Sequence, residues 1–211
     1  MNKRITFGTA RFVVATVVLV ALGTQLAYGL GNSDNFSIVN FFSFFTILSN
    51  FLAAVVFLVS SVALFTRINR QSLDYLRGAA TLYMVITGIV YVVLLTNVDV
   101  QTPLPWVNSV IHYIFPLVIL ADWLLDPPVR AVSARLAFNW LVFPFAYVAY
   151  TLLRGPFAHN WYPYPFINVQ ELGYLHVLIN CVLLTVVGAL LAVTIAKLPV
   201  WLLRLKRSVT S

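Results

Sequence analysis

A chain of 211 residues that is 61% hydrophobic and 9% charged, with a mean hydropathy of +0.93, is composed for a membrane rather than for water. Its net charge of +7 is scattered over sites beside apolar runs instead of gathered in one patch, which argues against a nucleic-acid partner. The single cysteine, Cys181, excludes an internal disulfide and, in mid-span, reads as a buried, inert thiol.

Six apolar runs meet the requirement of roughly 20 residues for a membrane helix, near 10–30, 38–65, 77–96, 105–125, 136–153 and 172–198. They leave no room for a second domain, so the expectation is one all-α unit over 1–211, an integral membrane six-helix bundle. Lys3 and Arg4 ahead of the first run imitate a secretory signal. The run from Phe12 to Leu30 is too long for a signal core and has no convincing cleavage site, so it reads as span one. The second and sixth runs exceed one bilayer thickness and call for tilt or extension.

Charge sets the expected orientation. Lys3, Arg4, Arg11, Arg67, Arg70, Arg77, Arg130, Arg135, Lys197, Arg204, Lys206 and Arg207 fall on one side of that layout, and only Arg154 on the other. The positive-inside rule then puts both termini in the cytoplasm, with the basic tail attracted to anionic lipid. Asp122 and Asp126 are expected to pair with Arg130 or Arg135. The loop from Arg154 to Glu171 carries Trp161-Tyr162-Pro163-Tyr164-Pro165-Phe166. Its prolines make it stiff and non-helical. It reads either as an interfacial aromatic anchor or as a lid over an outward-facing cavity.

Span two contains a polar stripe. At about 3.6 residues per turn, Asn40, Ser43, Thr46 and Asn50 fall within about a third of a helix circumference. Such a stripe should face other helices or a cavity. Asn108, Ser109 and His112 form a second polar cluster in span four, four residues ahead of Pro116. Both spans run inward, which puts Thr46 about 12 Å and His112 about 10 Å below the outer boundary. At that common depth His112 could serve as the base that activates the Thr46 hydroxyl. Asn50 and Asn108 could donate to an oxyanion or orient the base. Pro116 should kink its helix and free the carbonyl of His112, as Pro144 should kink span five.

The alternatives are plain. A membrane threonine commonly bonds its own preceding turn, and Ser43 and Ser49 suit close helix packing. An ionisable residue such as His112 within a span is functional by default. His176, about 6 Å into span six, reads as a second site histidine or an interfacial one, and Asn180 as a group that orients a base. Tyr83, Thr87 and Tyr91 share a face of span three and line the cavity or belong to the core. His112, His176 and Glu171 match no known metal-ligand spacing, so neither a metal nor another cofactor is expected.

Asn-Phe-Phe-Ser-Phe-Phe-Thr-Ile-Leu-Ser-Asn (40–50), Trp106 through His112 to Pro116, Asp122-Trp123 and Trp-Tyr-Pro-Tyr-Pro-Phe (161–166) together resemble a bacterial family of six-span membrane proteins. The resemblance covers nearly the whole chain. That family looks distantly related to the eukaryotic androgen-induced-gene and androgen-dependent TFPI-regulating proteins, intramembrane threonine hydrolases of fatty acid esters of hydroxy fatty acids. The resemblance implies Thr46 as nucleophile, His112 as base, a lipid-ester substrate and the bacterial cytoplasmic membrane. The Ser/Asn-rich surroundings of Thr46 follow the bacterial pattern only. A non-catalytic transporter or a lipid- or partner-binding module would use the same polar cavity. The scarcity of acids at mid-membrane argues against proton-coupled transport.

Overall fold

The computed structural model describes residues 3–66 and 70–209, with side chains through Leu202. Arg67 and the side chains of Arg204, Lys206 and Arg207 lie outside the described residues. Among those described, six helices are long and apolar enough to cross a membrane, and the chain is an all-α integral membrane bundle. We number the helices α1 (Lys3–Asn32), α2 (Ile38–Phe41), α3 (Phe45–Thr66), α4 (Gln71–Leu95), α5 (Pro105–Leu125), α6 (Ala134–Phe157) and α7 (Val169–Leu202).

The polar stripe of span two does not lie on one continuous helix. Ser43 Oγ donates to Val39 O at 2.6 Å, and the Ser43 N–H bonds Asn40 O at 2.9 Å instead. A serine side chain that competes for its own i−4 carbonyl loosens a helix. The chain accordingly breaks between Phe41 and Phe45 and restarts as α3. Thr46 therefore sits in a helical first turn, where backbone N–H groups have no intrahelical partner.

Helices α1, α3, α4 and α5 pack in sequence and share a core around Ala15, Ala53, Phe57, Met84, Ile111 and Phe115. Small residues on α1 and α3 let those helices approach closely. Ser61 Oγ donates to Gly8 O at 2.6 Å across that seam. A second core, of Leu82, Trp123, Trp140, Ala192 and Ile195, joins α6 and α7 to α4 at the end of the bundle where the chain starts. Trp123 Nε1 donates to Ile195 O at 2.8 Å there. Towards the opposite end one face of α7, with Leu175, Leu178, Val182, Leu183, Val186 and Leu190, is exposed, while Val169 and Val177 pack against Tyr162. Gly173 adopts φ 73°, a left-handed value that favours glycine, and breaks the start of α7.

The acids pair differently from expectation. Asp122 accepts from Arg11 Nε at 2.8 Å and Arg77 Nη2 at 2.7 Å, and Asp126 from Arg11 Nη2 at 2.7 Å and Arg70 Nη1 at 3.0 Å. Arg77 also bonds Asp74 at 2.7 Å. Arg130 and Arg135 are exposed. The reason is burial: a carboxylate drawn into the bundle needs a cation that is also inside, and Arg11 and Arg77 are each only 1% exposed.

Candidate functional site

Two helices leave the α register at the same level. Tyr91–Leu95, ending α4, and Val110–Ile114, within α5, are π-helical, a feature frequent at functional sites. The Tyr91 and His112 rings stack there with centroids 3.9 Å apart. Asn108 bridges them: Nδ2 donates to Tyr91 Oη at 2.8 Å and Oδ1 lies 2.8 Å from His112 Nδ1. A carboxamide oxygen can only accept, so this arrangement puts the imidazole proton on Nδ1. In the neutral ring Nε2 is then left with its lone pair. Ser109 faces outward and bonds its own turn.

Pro116 explains the π segment. Proline has no N–H to donate, and in an i→i−5 register its missing partner is Ile111 O rather than His112 O. Asn50 Nδ2 fills that gap, donating to Ile111 O at 3.2 Å and to Thr46 O at 2.9 Å. The freed carbonyl is thus one residue earlier than sequence spacing indicates, and it is capped across the α3–α5 seam. Both Asn50 amide hydrogens are committed to backbone, so neither is aimed at a ligand. Pro144 sits three residues after a 3₁₀ turn, Asn139–Leu141, that restarts α6. A first-turn proline lacks only a donor the helix does not use.

Thr46 is 7% exposed. Tyr164 Oη lies 3.2 Å from its N–H and 3.3 Å from its Oγ1. Tyr164 comes from the aromatic loop, which packs into the bundle instead of lying on its surface. Tyr162, Pro163 and Tyr164 are buried, and Trp161 and Tyr164 both meet Phe44 edge-on. Burial pushes the Tyr164 phenol up, against hydrogen bonds to Thr46 that pull it down, so it remains a donor. Sequence reasoning missed this residue because loop position carries no record of which helix a loop folds onto.

Thr46 separates two spaces. On one side is an apolar pocket of about 310 Å³ between α4, α6 and α7, walled by Ile86, Val90, Pro144, Tyr147, Val182 and Leu191. Cys181 lines it and is half-buried rather than fully so. On the other is a cavity of about 20 Å³ shared by Thr46, His112, Gln25, Gln101 and Thr102. Among the described residues, no Asp, Glu, Lys or Arg lines either space. Thr46 and His112 face one cavity, and no hydrogen bond joins them.

The remaining candidates are distributed around this centre. Thr87 is buried and bonds Ser49 Oγ at 2.9 Å and Tyr83 O at 2.9 Å, tying α3 to α4 beside the apolar pocket. Tyr83 packs against Phe143 at 4.8 Å. Ser43 bonds Tyr150 Oη at 2.8 Å on the α6 side, away from His112. Asn180 anchors the loop by donating to Phe166 O at 2.9 Å. His176 is exposed and bonds its own turn at Leu172 O, apart from the Thr46 cluster.

Comparison adds no relative. No family model, curated protein or solved structure matches this chain. The chemistry of Thr46 and its surroundings therefore carries the functional argument.

Proposed function

We propose that the protein is an intramembrane hydrolase of neutral lipid esters, with Thr46 as nucleophile and His112 as base. The observation that carries this reading is the position of Thr46 on the wall between a lipid-sized apolar pocket and a water-sized cavity that also holds His112 and Gln25. An acyl chain lies in the pocket, entering from the bilayer beside the exposed face of α7. Its ester carbonyl reaches Thr46. The Oγ1 proton passes to His112 Nε2, directly or through one water, as Oγ1 attacks the carbonyl carbon. Tyr164 Oη, which accepts from the Thr46 N–H at 3.2 Å, donates its own proton to the oxyanion that develops. Asn108 and the stacked Tyr91 hold the imidazole in its tautomer. Collapse of the intermediate breaks the ester C–O bond and releases the alcohol, which takes the proton from His112.

The charge distribution supports an orientation with both termini in the cytoplasm, and the resemblance supports a bacterial inner membrane. The loop bearing Tyr164 then closes the outer end.

One observation favours a second reading, a lipid-binding module. Thr46 Oγ1 is already bonded to Tyr164, and the larger space is almost wholly apolar. Purified protein exposed to a fluorophosphonate, as wild type, Thr46→Ala and His112→Ala, separates the two. The hydrolase reading expects a labelled Thr46 peptide in the wild type. It also expects a roughly thousandfold or greater loss of labelling and of ester turnover in both variants, with melting temperatures retained. A folded wild type that binds lipid but neither labels nor turns over lipid esters sinks it.

A further inference from the structure

Gln25 belongs to α1, a helix that contributes nothing else to the site, yet it is only 4% exposed and lines the small cavity with Thr46 and His112. Its Nε2 donates to Gln101 O at 2.7 Å. A carbonyl can only accept, so this bond fixes which end of the carboxamide is nitrogen. The oxygen, Oε1, is buried and has no hydrogen-bond partner among the described residues. A buried amide oxygen left unpartnered is costly. It is also held in place: Gln101 adopts φ 56°, unusual for a residue with a side chain, and its N–H bonds Asp99 Oδ1 at 2.8 Å. The connection between α4 and α5 is thus bent to offer its carbonyl to Gln25.

A cavity of about 20 Å³ matches the space one water needs, provided two or more polar groups surround it. Gln25, Thr46, Thr102 and His112 supply them. The geometry points to Gln25 as the residue that positions the hydrolytic water for breakdown of an acyl-Thr46 intermediate. This rests on the hydrolase reading and adds a second half to the reaction. The water donates one hydrogen bond to Gln25 Oε1, which keeps that proton on the water, and the other to His112 Nε2. As the water oxygen attacks the acyl carbonyl carbon, His112 takes the second proton. The carbon–Oγ1 bond then breaks, Oγ1 recovers the proton from His112, and the fatty acid leaves into the apolar pocket. Water thereby approaches from the loop side while the acyl chain stays on the lipid side.

The role separates two steps that a structural residue would affect together. Gln25→Leu and Gln25→Met remove the acceptor and keep side-chain bulk, Met with its flexible fit serving where Leu lowers the melting temperature. Both are compared with wild type in fluorophosphonate labelling, which needs no water, and in stopped-flow hydrolysis of a neutral 4-nitrophenyl fatty-acyl ester. The expected result is labelling within about twofold of wild type, a nitrophenol burst near one equivalent, and a steady rate lower by about a hundredfold. Mass spectrometry should find the acyl group on Thr46. Variants that turn over like wild type overturn the proposal. So do variants in which labelling and turnover fall in parallel at an unchanged melting temperature. A wild type that neither labels nor hydrolyses overturns the hydrolase reading, and this role with it.

Discussion

Thr46 and Tyr164 show how much a single side chain depends on its place in a helix. Because α3 begins at Phe45, the Thr46 N–H is one of the donors a helix start leaves over, and Tyr164 Oη satisfies it at 3.2 Å. Tyr164→Phe removes that hydroxyl while the ring contacts with Phe44 and Phe166 remain. Turnover should fall by about a hundredfold, the scale of losing one oxyanion donor. Stability should fall by only about 1 kcal/mol, which kinetics and thermal melts on the same sample would measure. The phenol is pushed up by burial, so its proton leaves only above the ordinary tyrosine value near ~10. Wild-type turnover should therefore keep this donor across the mildly alkaline range. An alkaline loss of turnover near pH 9 that Tyr164→Phe abolishes would contradict that assignment. The common level of Thr46 and His112 is legible in the sequence because depth along two helices that run in the same direction is simple arithmetic. Tyr164 is not, since its chain neighbours point only to a stiff aromatic loop.

At the scale of elements, irregular helix segments organise the site. The π segment of α5 follows from Pro116, and Asn50 is its complement on α3. Asn50→Ala leaves Ile111 O buried without that donor, which should cost about 1–3 kcal/mol. Pro116→Ala supplies an N–H to the same helix. The double variant should then be less destabilised than the sum of the single changes, a coupling that a thermal-melt cycle reads directly. Strict additivity would mean the carboxamide is not compensating for proline. Gly88 lies against the same proline, where an added Cβ would come within 3.1 Å of Pro116 Cβ. Proline as a source of irregularity is readable from sequence. The register that the helix adopts in response is not, because α and π turns differ by one residue and neighbouring helices choose between them.

For the whole molecule, two ends have different chemistry. The end bearing the chain start is locked by Arg11, Arg70 and Arg77 against Asp74, Asp122 and Asp126. Arg77→Met strands buried carboxylates and should destabilise by about 3–5 kcal/mol. Arg130→Ala, at an exposed site, should stay within about 0.5 kcal/mol. Burial pushes the Asp126 carboxyl up, but Arg11, Arg70 and Arg77 outweigh it and hold the group below its usual value. A carboxylate depressed in the folded state contributes stability that is complete above its unfolded value near ~4. That contribution drains away as pH falls through the folded value. Melting temperature should therefore decline on acidification below about pH 4, and less steeply in Asp126→Asn, whose neutral amide has no proton to gain.

Composition and the spacing of apolar runs by themselves determined six helices, their order and one polar level within the bundle, because a bilayer demands long apolar helices and tolerates polar groups only in company. Tertiary structure alone decided which groups keep that company. Asp122 and Asp126 met Arg11, Arg70 and Arg77 rather than their chain neighbours, Asn50 met Ile111, Tyr164 met Thr46, and Gln25 reached the cavity of His112. The physical reason is that a buried polar group without a partner is costly, so most of them find one in three dimensions. The partner is set by how helices rotate and pack, which the order of residues along one strip of chain does not record.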